Sequence, residues 1–242
     1  MVKEKYNKFL SYRDFNEDPF LKNIFKKNCY VTTKEKYIKL FKYLKNTFIC
    51  LKTKKKINKN NSIKKNLKFI GTNKTYHTNI ESAKKYKKKK NISYKTRLKD
   101  SEKKIVINIS FKNFKYSRFH LDKRLPTSKS NLIKKKTLEN YFLGHRCDKI
   151  FVQFYKKNIS GFCLLKFENR DLAIIDLICI DKKFSRKGLA SDLIKYCLYS
   201  LKKIYKKKLI VGTQEENLAA IKLYSSLKFI PINKVFIYHY IS

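Results

Sequence analysis

The chain has 242 residues, 43% of them hydrophobic and 14% aromatic, enough for one large domain or two small ones, and its formal net charge is +42. That charge rests almost wholly on lysine, with arginine at only seven positions and Asn and Ile also abundant; A/T-rich codon usage accounts for it, which argues against a bidentate nucleic-acid reader while leaving an attraction for anionic small molecules. The six cysteines, Cys29, Cys50, Cys147, Cys163, Cys179 and Cys197, make no C-x-x-C pair, which excludes a disulfide framework or zinc finger and predicts reduced thiols, no metal site and a cytoplasmic setting.

The opening "MVKEKYNKFL" lacks the apolar stretch of a secretion signal, and no apolar run reaches the ~20 residues of a membrane span. At most a weak attraction to anionic membrane surfaces is expected. Residues 34–45 read as a helix with Tyr37, Leu40, Phe41 and Leu44 on one face and Thr32 or Thr33 as cap. "TFICL" (47–51) reads as a short buried strand. "NLKFIGTNKTYHTNI" (66–80) reads as a helix end passing into a strand, with Gly71 as the break. "KKYKKKKNISYK" (84–95) is a charge run, read as a solvated linker. A small N-terminal β/α domain with its basic linker is therefore expected over 1–95, and a second domain over 96–242.

The second half carries denser patterns. "IVINI" (105–109) reads as a strand and "SNLIKKKTLENYFLG" (130–144) as a helix ending at Gly144. Three strands follow, near 149–155, 160–167 and 172–180, joined by turns at "KKN" and "ENRD". Leu189, Leu193, Ile194, Cys197, Leu198, Leu201 and Tyr205 recur at helical spacing. "KKLIVGTQ" is a further strand, "NLAAIKLYSSL" a helix capped by Asn217, and "VFIYHYI" a closing strand. These elements predict a mixed α/β fold in which antiparallel hairpins feed a β-loop-α-β crossover.

One loop stands out. In "FSRKGLAS" (184–191), one of only five glycines precedes a helix start and follows two basic residues. A helix N-terminus offers unpaired N–H groups and partial positive charge, and glycine permits positive φ or close backbone approach. The stretch is a candidate anion cradle that suits a pyrophosphate. One glycine is too few for a Walker A or Rossmann loop.

The order strand, "DKKFSRKGLASDLI", strand "LIVGTQ", then "ENLAAIKLYSSLKFIPI" resembles the GNAT superfamily of acetyl-CoA-dependent N-acetyltransferases over about residues 100–242. The R/Q-x-x-G-x-G/A signature aligns with Ser185 through Ala190. A second signature, N-x-x-A-x-x-x-Y-x-x-x-G-F, aligns with Asn217, Ala220, Tyr224, Lys228 and Phe229. Ser185 departs from the usual Arg or Gln, and Lys228 from the usual Gly. If Lys228 closes its helix in a left-handed conformation, the departure costs about 1 kcal/mol.

The resemblance implies a GNAT fold: a central mixed, mostly antiparallel sheet flanked by helices. It also implies acetyl-CoA as acyl donor, with backbone groups of Ile178, Cys179 and Ile180 pairing with its pantetheine arm. The pyrophosphate would lie on the N–H groups of Arg186, Lys187, Gly188, Leu189, Ala190 and Ser191, and Asn217 would touch the cofactor arm. Tyr224 would protonate the departing thiolate. Its phenol, of pKa ~10, is still protonated at neutral pH. Asp176, a carboxylate in an apolar run of the same strand, is the candidate base, with a structural aspartate or a water chain as alternatives. Glu215 and Glu216 read as favourable charges at a helix start.

"YSRFHLD" (116–122), the Asn217 region and the terminal "IYHY" resemble, more loosely, the branch of sugar-nucleotide N-acetyltransferases that includes dTDP-fucosamine acetyltransferases. That resemblance implies a nucleotide-linked amino sugar as acceptor, with Arg118, His120 and Asp122 as candidate contacts. A protein or peptide amine, or a non-enzymatic nucleic-acid-binding role on the same scaffold, are the alternatives. The oligomeric state is left open, a homodimer included.

Overall fold

The computed structural model describes residues 15–57, 66–81, 86–87 and 89–242. The opening ten residues, and Lys84, Lys85 and Lys88 of the charge run, lie outside the described residues. The first segment contributes β1 (Asn16–Glu17), α1 (Pro19–Phe25), β2 (Asn28–Thr32), a 3-10 helix (Glu35–Tyr43), β3 (Thr47–Thr53), β4 (Leu67–Asn79) and β5 (Ile92–Lys95). Then come α2 (Asp100–Asn113), α3 (Arg118–Leu121), α4 (Thr127–Phe142), β6 (Lys149–Tyr155), β7 (Asn158–Phe167) and β8 (Leu172–Ile180). The chain closes with α5 (Leu189–Lys202), β9 (Lys208–Gln214), α6 (Leu218–Ser226) and β10 (Ile230–Ile241).

The described strands form one mixed sheet in the order β1-β2-β3-β10-β4-β9-β8-β7-β6-β5. Only β2–β3 and β8–β9 run parallel; the other pairs are antiparallel. The C-terminal strand β10 lies between β3 and β4, so strands from both sides of residue 95 share the sheet.

Helices cover both faces. On one, Leu193, Ile194, Cys197 and Leu201 of α5 and Tyr224 of α6 pack on Phe151, Cys163, Ile175 and Val211. Each such aliphatic side chain contributes about 1.5–3 kcal/mol when fully buried. On the other, Val106 and Ile109 of α2 and Leu138 of α4 cover β6, β7 and β8. Ile133, one turn earlier on α4, packs with Phe119 of α3 and Leu21 and Phe25 of α1 over β3 and β10. Helix α4 thus bridges two parts of one layer.

Several expectations are corrected. "IVINI" is helical, the middle of α2. Val106, Ile109 and Ser110 are buried at helical spacing, and the Glu102 carboxylate accepts from the Lys99 N–H at 2.9 Å. That start signal and one buried stripe outweigh the β-branched composition. Residues 67–79 are strand throughout, with Gly71 inside it. A side chain at Gly71 would meet the Glu216 carboxylate and Leu121. Residues 35–43 coil as a 3-10 helix, with the Lys34 N–H donating to Thr32 Oγ1 at 3.2 Å.

Lys228 closes α6 with φ +60°, the left-handed conformation that glycine adopts without strain. Lys228→Gly is therefore expected to stabilise the chain by about 1 kcal/mol and raise Tm by about 2–4 °C in a thermal melt. A lower Tm would contradict this account of the helix end.

Candidate active site

The site begins where two strands part. β8 and β9 pair in parallel only from Leu172↔Lys208 to Ile175↔Val211. Beyond that point β8 continues to Ile180 along β7, and β9 continues to Gln214 along β4. A bulge lies at the fork: Leu165 pairs with Ile175 and Leu164 with Leu177, leaving Asp176 as the extra residue. The bulge exchanges the strand's faces. Ala173 and Ile175 point into the core beneath α5 and α6, whereas Leu177 and Cys179 point into the core beneath α2 and α4. Past the fork, one edge of Ile178, Cys179 and Ile180 is free of β9.

The β8 chain then turns through Lys182–Phe184 into α5. Gly188 is the N-cap, with φ +71°, and no side chain caps the helix. The first intrahelical bond runs from the Asp192 N–H to the Gly188 carbonyl at 3.1 Å. The N–H groups of Leu189, Ala190 and Ser191 precede it, and residues 185–188 are exposed. A Cβ at Gly188 would meet nothing within 4 Å, so its backbone angle, not crowding, requires glycine, and the space above the helix start is open. Arg186 is also left-handed, with φ +61°. Ser185, in place of the usual basic or amide side chain, donates its hydroxyl back to the Lys182 carbonyl at 2.8 Å.

A buried polar network that sequence reasoning missed fixes this helix start. Asp192 is 1% exposed. Its Oδ2 accepts from the hydroxyls of Tyr94 and, at 3.2 Å, Tyr86. Gln153 Nε2 donates to Tyr94 Oη and to the Leu189 carbonyl, both at 3.1 Å, and Ser160 Oγ donates to Gln153 Oε1 at 3.1 Å. The network ties the first turn of α5 to β5, β6 and β7, so the loop is held by three strands rather than by its own residues.

Asn217 caps α6, its Oδ1 accepting from the Ala220 N–H at 3.3 Å. Tyr224, two turns along, is 3% exposed. It packs with Tyr76 and Phe229 at ring-centroid distances of 6.0 and 5.6 Å. Ile178 and Ile180 pack against the same core cluster. Burial, with a smaller contribution from Cys163, raises the Tyr224 phenol above its ordinary value, keeping it protonated.

Asp176 has both carboxylate oxygens engaged by Arg146, at 3.0 Å from Nε and 2.8 Å from Nη2. Of the three acceptor candidates, Arg118 has its Nε buried without a hydrogen-bond partner. His120 is hydrogen-bonded at both ring nitrogens, to Ser117 Oγ at 2.6 Å and Asn131 Oδ1 at 2.9 Å. Asp122 is 2% exposed and bound inward: Arg124 Nε and Nη2 donate to it at 2.9 and 2.8 Å, and His239 Nδ1 lies 2.9 Å away. Arg124 also donates to the carbonyls of Asn66 and His239. This pin holds the segment between α3 and α4 against β10.

Burial opposes ionisation of Asp122, but the hydrogen bonds from His239 and Arg124 outweigh it and hold the carboxyl well below its ordinary range. A folded-state pKa below the unfolded one gives stability that is present above pH ~4 and lost as pH falls below it. Asp122→Asn is expected to cost about 3 kcal/mol at pH 7. The gap between the denaturant curves of wild type and variant should begin to narrow as pH falls below about 4 and keep narrowing at lower pH; an unchanged gap would refute the pin.

No curated protein matches the chain. Among solved structures, a functionally unknown conserved protein from Staphylococcus epidermidis superimposes with a TM-score of 0.68 at 12% identity, covering 96% of each chain. A GCN5-related N-acetyltransferase from Kribbella flavida superimposes with a TM-score of 0.56 at 7% identity, over 88% of this chain and 81% of that one. A GNAT-family chain from Novosphingobium aromaticivorans gives 0.52 at 12% identity, over 85% and 80%. At such identities the likeness is one of fold. The sequence itself matches the acetyltransferase (GNAT) family model over residues 116–229. The chain therefore has a GNAT fold, and just under half of it, residues 116–229, matches the GNAT acetyltransferase family, a family of acyltransferases.

Proposed function

We propose that the chain transfers an acetyl group from acetyl-CoA to the amine of a small acceptor, by direct attack in a ternary complex, and that the acceptor is a nucleotide-linked amino sugar. The observation that carries this reading is the fork between β8 and β9, with a free strand edge leading to an uncapped helix start. The residues fit the donor. The edge at Ile178, Cys179 and Ile180 has backbone groups for an extended amide-bearing arm, as an added strand would pair. The N–H groups from Arg186 to Ser191, with the Arg186 and Lys187 charges, suit a pyrophosphate. The amide of Asn217 has its nitrogen left to donate after capping. Acetyl-CoA supplies the activated acyl group.

Tyr224 is read as the proton donor to the leaving sulfur, since its buried phenol stays neutral and lies in the core cluster against which Ile178 and Ile180 pack. Asp176 is read as the group that draws a proton from the amine, through lone pairs that Arg146 leaves free. Arg118 is read as an acceptor contact. His120 and Asp122 hold its segment in place through their internal hydrogen bonds.

Release of free thiol from acetyl-CoA, measured against amino-sugar nucleotides, amino acids and peptides, tests the reaction and its acceptor together. Turnover is expected with a sugar nucleotide; acetylation of peptides alone would overturn the acceptor reading. Tyr224→Phe should lower kcat by about 10²- to 10⁴-fold while leaving acetyl-CoA binding within a few-fold. Equal losses in both would make Tyr224 a packing residue.

A further inference from the structure

The helical layer over α2, α3 and α4 leaves a gap beside the fork. Its two apolar clusters cover β6, β7 and β8 on one side and β3 and β10 on the other, and among the described residues neither takes in a residue of β9. The floor between them is set by Gly212 and Gln214 of β9 and by Gly71 and Asn73 of β4, since Gln214 pairs with Asn73 and alternate residues share a face. The neighbours fix which face this is. Leu209 and Val211 point into the core beneath α5 and α6, so Gly212 and Gln214 point the other way. Ile237, the partner of Gly71, points into the core beneath α1, α3 and α4.

Two glycines clear this floor for polar side chains. A Cβ at Gly71 would lie 3.0 and 3.2 Å from the Glu216 carboxylate oxygens and 3.3 Å from Leu121 Cδ1. A Cβ at Gly212 would lie 3.4 Å from Asn73 Nδ2. Glycine inside a strand weakens it and marks a place where another group approaches closely. Glu216 thus lies over Gly71 and Gln214 beside Asn73, two positions about 6.5 Å apart along β4. Both are acceptors without a donor. Gln214 Oε1 is buried with no hydrogen-bond partner, while its Nε2 donates to Asn73 Oδ1 at 3.3 Å. Among the described residues no cation and no hydrogen-bond donor engages Glu216, although its neighbour Glu215 pairs with Lys74 at 2.6 Å and Lys234 at 3.8 Å. In a chain with 60 lysines and arginines against 18 acids, a carboxylate left without a cation runs against composition. Nor does Glu216 cap α6: Asn217 does so, and the Glu216 oxygens turn to Gly71 instead.

Resting on the acetyltransferase reading, we propose that Gln214 and Glu216 dock the acceptor as an ammonium on the β9 side of the fork. An ammonium has three donors and no acceptor, the complement of one buried carbonyl oxygen and one unpaired carboxylate. Charge-assisted bonds of this kind are about twice as strong as neutral ones, so the pair selects an amine over the hydroxyl of a molecule of the same shape. Asn73 is a positioning residue, which orients the Gln214 amide so that Oε1 is the atom left to accept. Docking precedes deprotonation, and Asp176, on the other strand of the fork, keeps the role of proton acceptor.

Thermal shifts at saturating coenzyme A test the site. The probes are three amines and their hydroxyl counterparts: glucosamine with glucose, UDP-glucosamine with UDP-glucose, and alaninamide with lactamide, all at equal ionic strength. At least one amine is expected to raise Tm beyond its counterpart, by the amount occupancy dictates, and the pair that responds names the acceptor class. In Glu216→Gln and in Gln214→Met the apparent affinity for that amine should weaken about ten-fold or more, with stabilisation by coenzyme A unchanged. With the same amine as acceptor in thiol release, KM should rise by that factor while kcat stays within a few-fold. Hydroxyl counterparts that match their amines, no response in any pair, an undiminished amine preference in the variants, or a fall in kcat at unchanged KM each overturns the site. Glu216 is exposed, so Glu216→Gln decides should Gln214→Met not fold. Stabilisation by coenzyme A with no amine preference refutes only this site, whereas no stabilisation by coenzyme A refutes the acetyl-transfer reading and this site with it.

Discussion

The parting of β8 from β9 after Ile175 and Val211 is the constraint on which the rest of the site depends. A parallel pair that stayed zipped to Ile180 and Gln214 would use up the backbone groups of Ile178 to Ile180. The bulge at Asp176 accompanies the parting. By inserting one residue it reverses the strand's faces, so Leu177 and Cys179 join the core under α2 and α4 while Ile178 and Ile180 pack against the core under α5 and α6. Gly161 makes the opposite edge equally specific, since any side chain there would strike the Cys179 carbonyl and Ile180.

Two buried polar assemblies hold the walls of the opening. On one side Asp192, Tyr94, Gln153 and Ser160 fix the first turn of α5, so that its N–H groups point out of a rigid frame. On the other, Asp122, Arg124 and His239 bind the segment carrying Arg118 to β10. Each places a carboxylate out of water and gives it hydrogen-bond donors, at both oxygens of Asp122 and at Oδ2 of Asp192.

Much of this was legible in the sequence because it rests on local rules. The strands at 149–155 and 172–180 and the amphipathic helix from Leu189 follow from periodicity, Asn217 from its capping chemistry, and Gly188 from the need for positive φ ahead of a helix. The left-handed Lys228 followed from the glycine position of the resembled N-x-x-A-x-x-x-Y-x-x-x-G-F signature. What escaped depends on partners distant in sequence. Helix α2 reads as a strand until Val106 and Ile109 are seen to share one buried stripe. The pin of Asp122 needs His239, 117 residues away. The Asp192 network draws on four elements.

The central claim is that the free edge of β8 and the helix start of α5 together hold acetyl-CoA. Amide hydrogen exchange with and without acetyl-CoA tests it most directly. The account predicts slowed exchange at Ile178 to Ile180 and at Arg186 to Ser191, with little change along β6. Protection confined to other segments, or none at all at saturating acetyl-CoA, would contradict it.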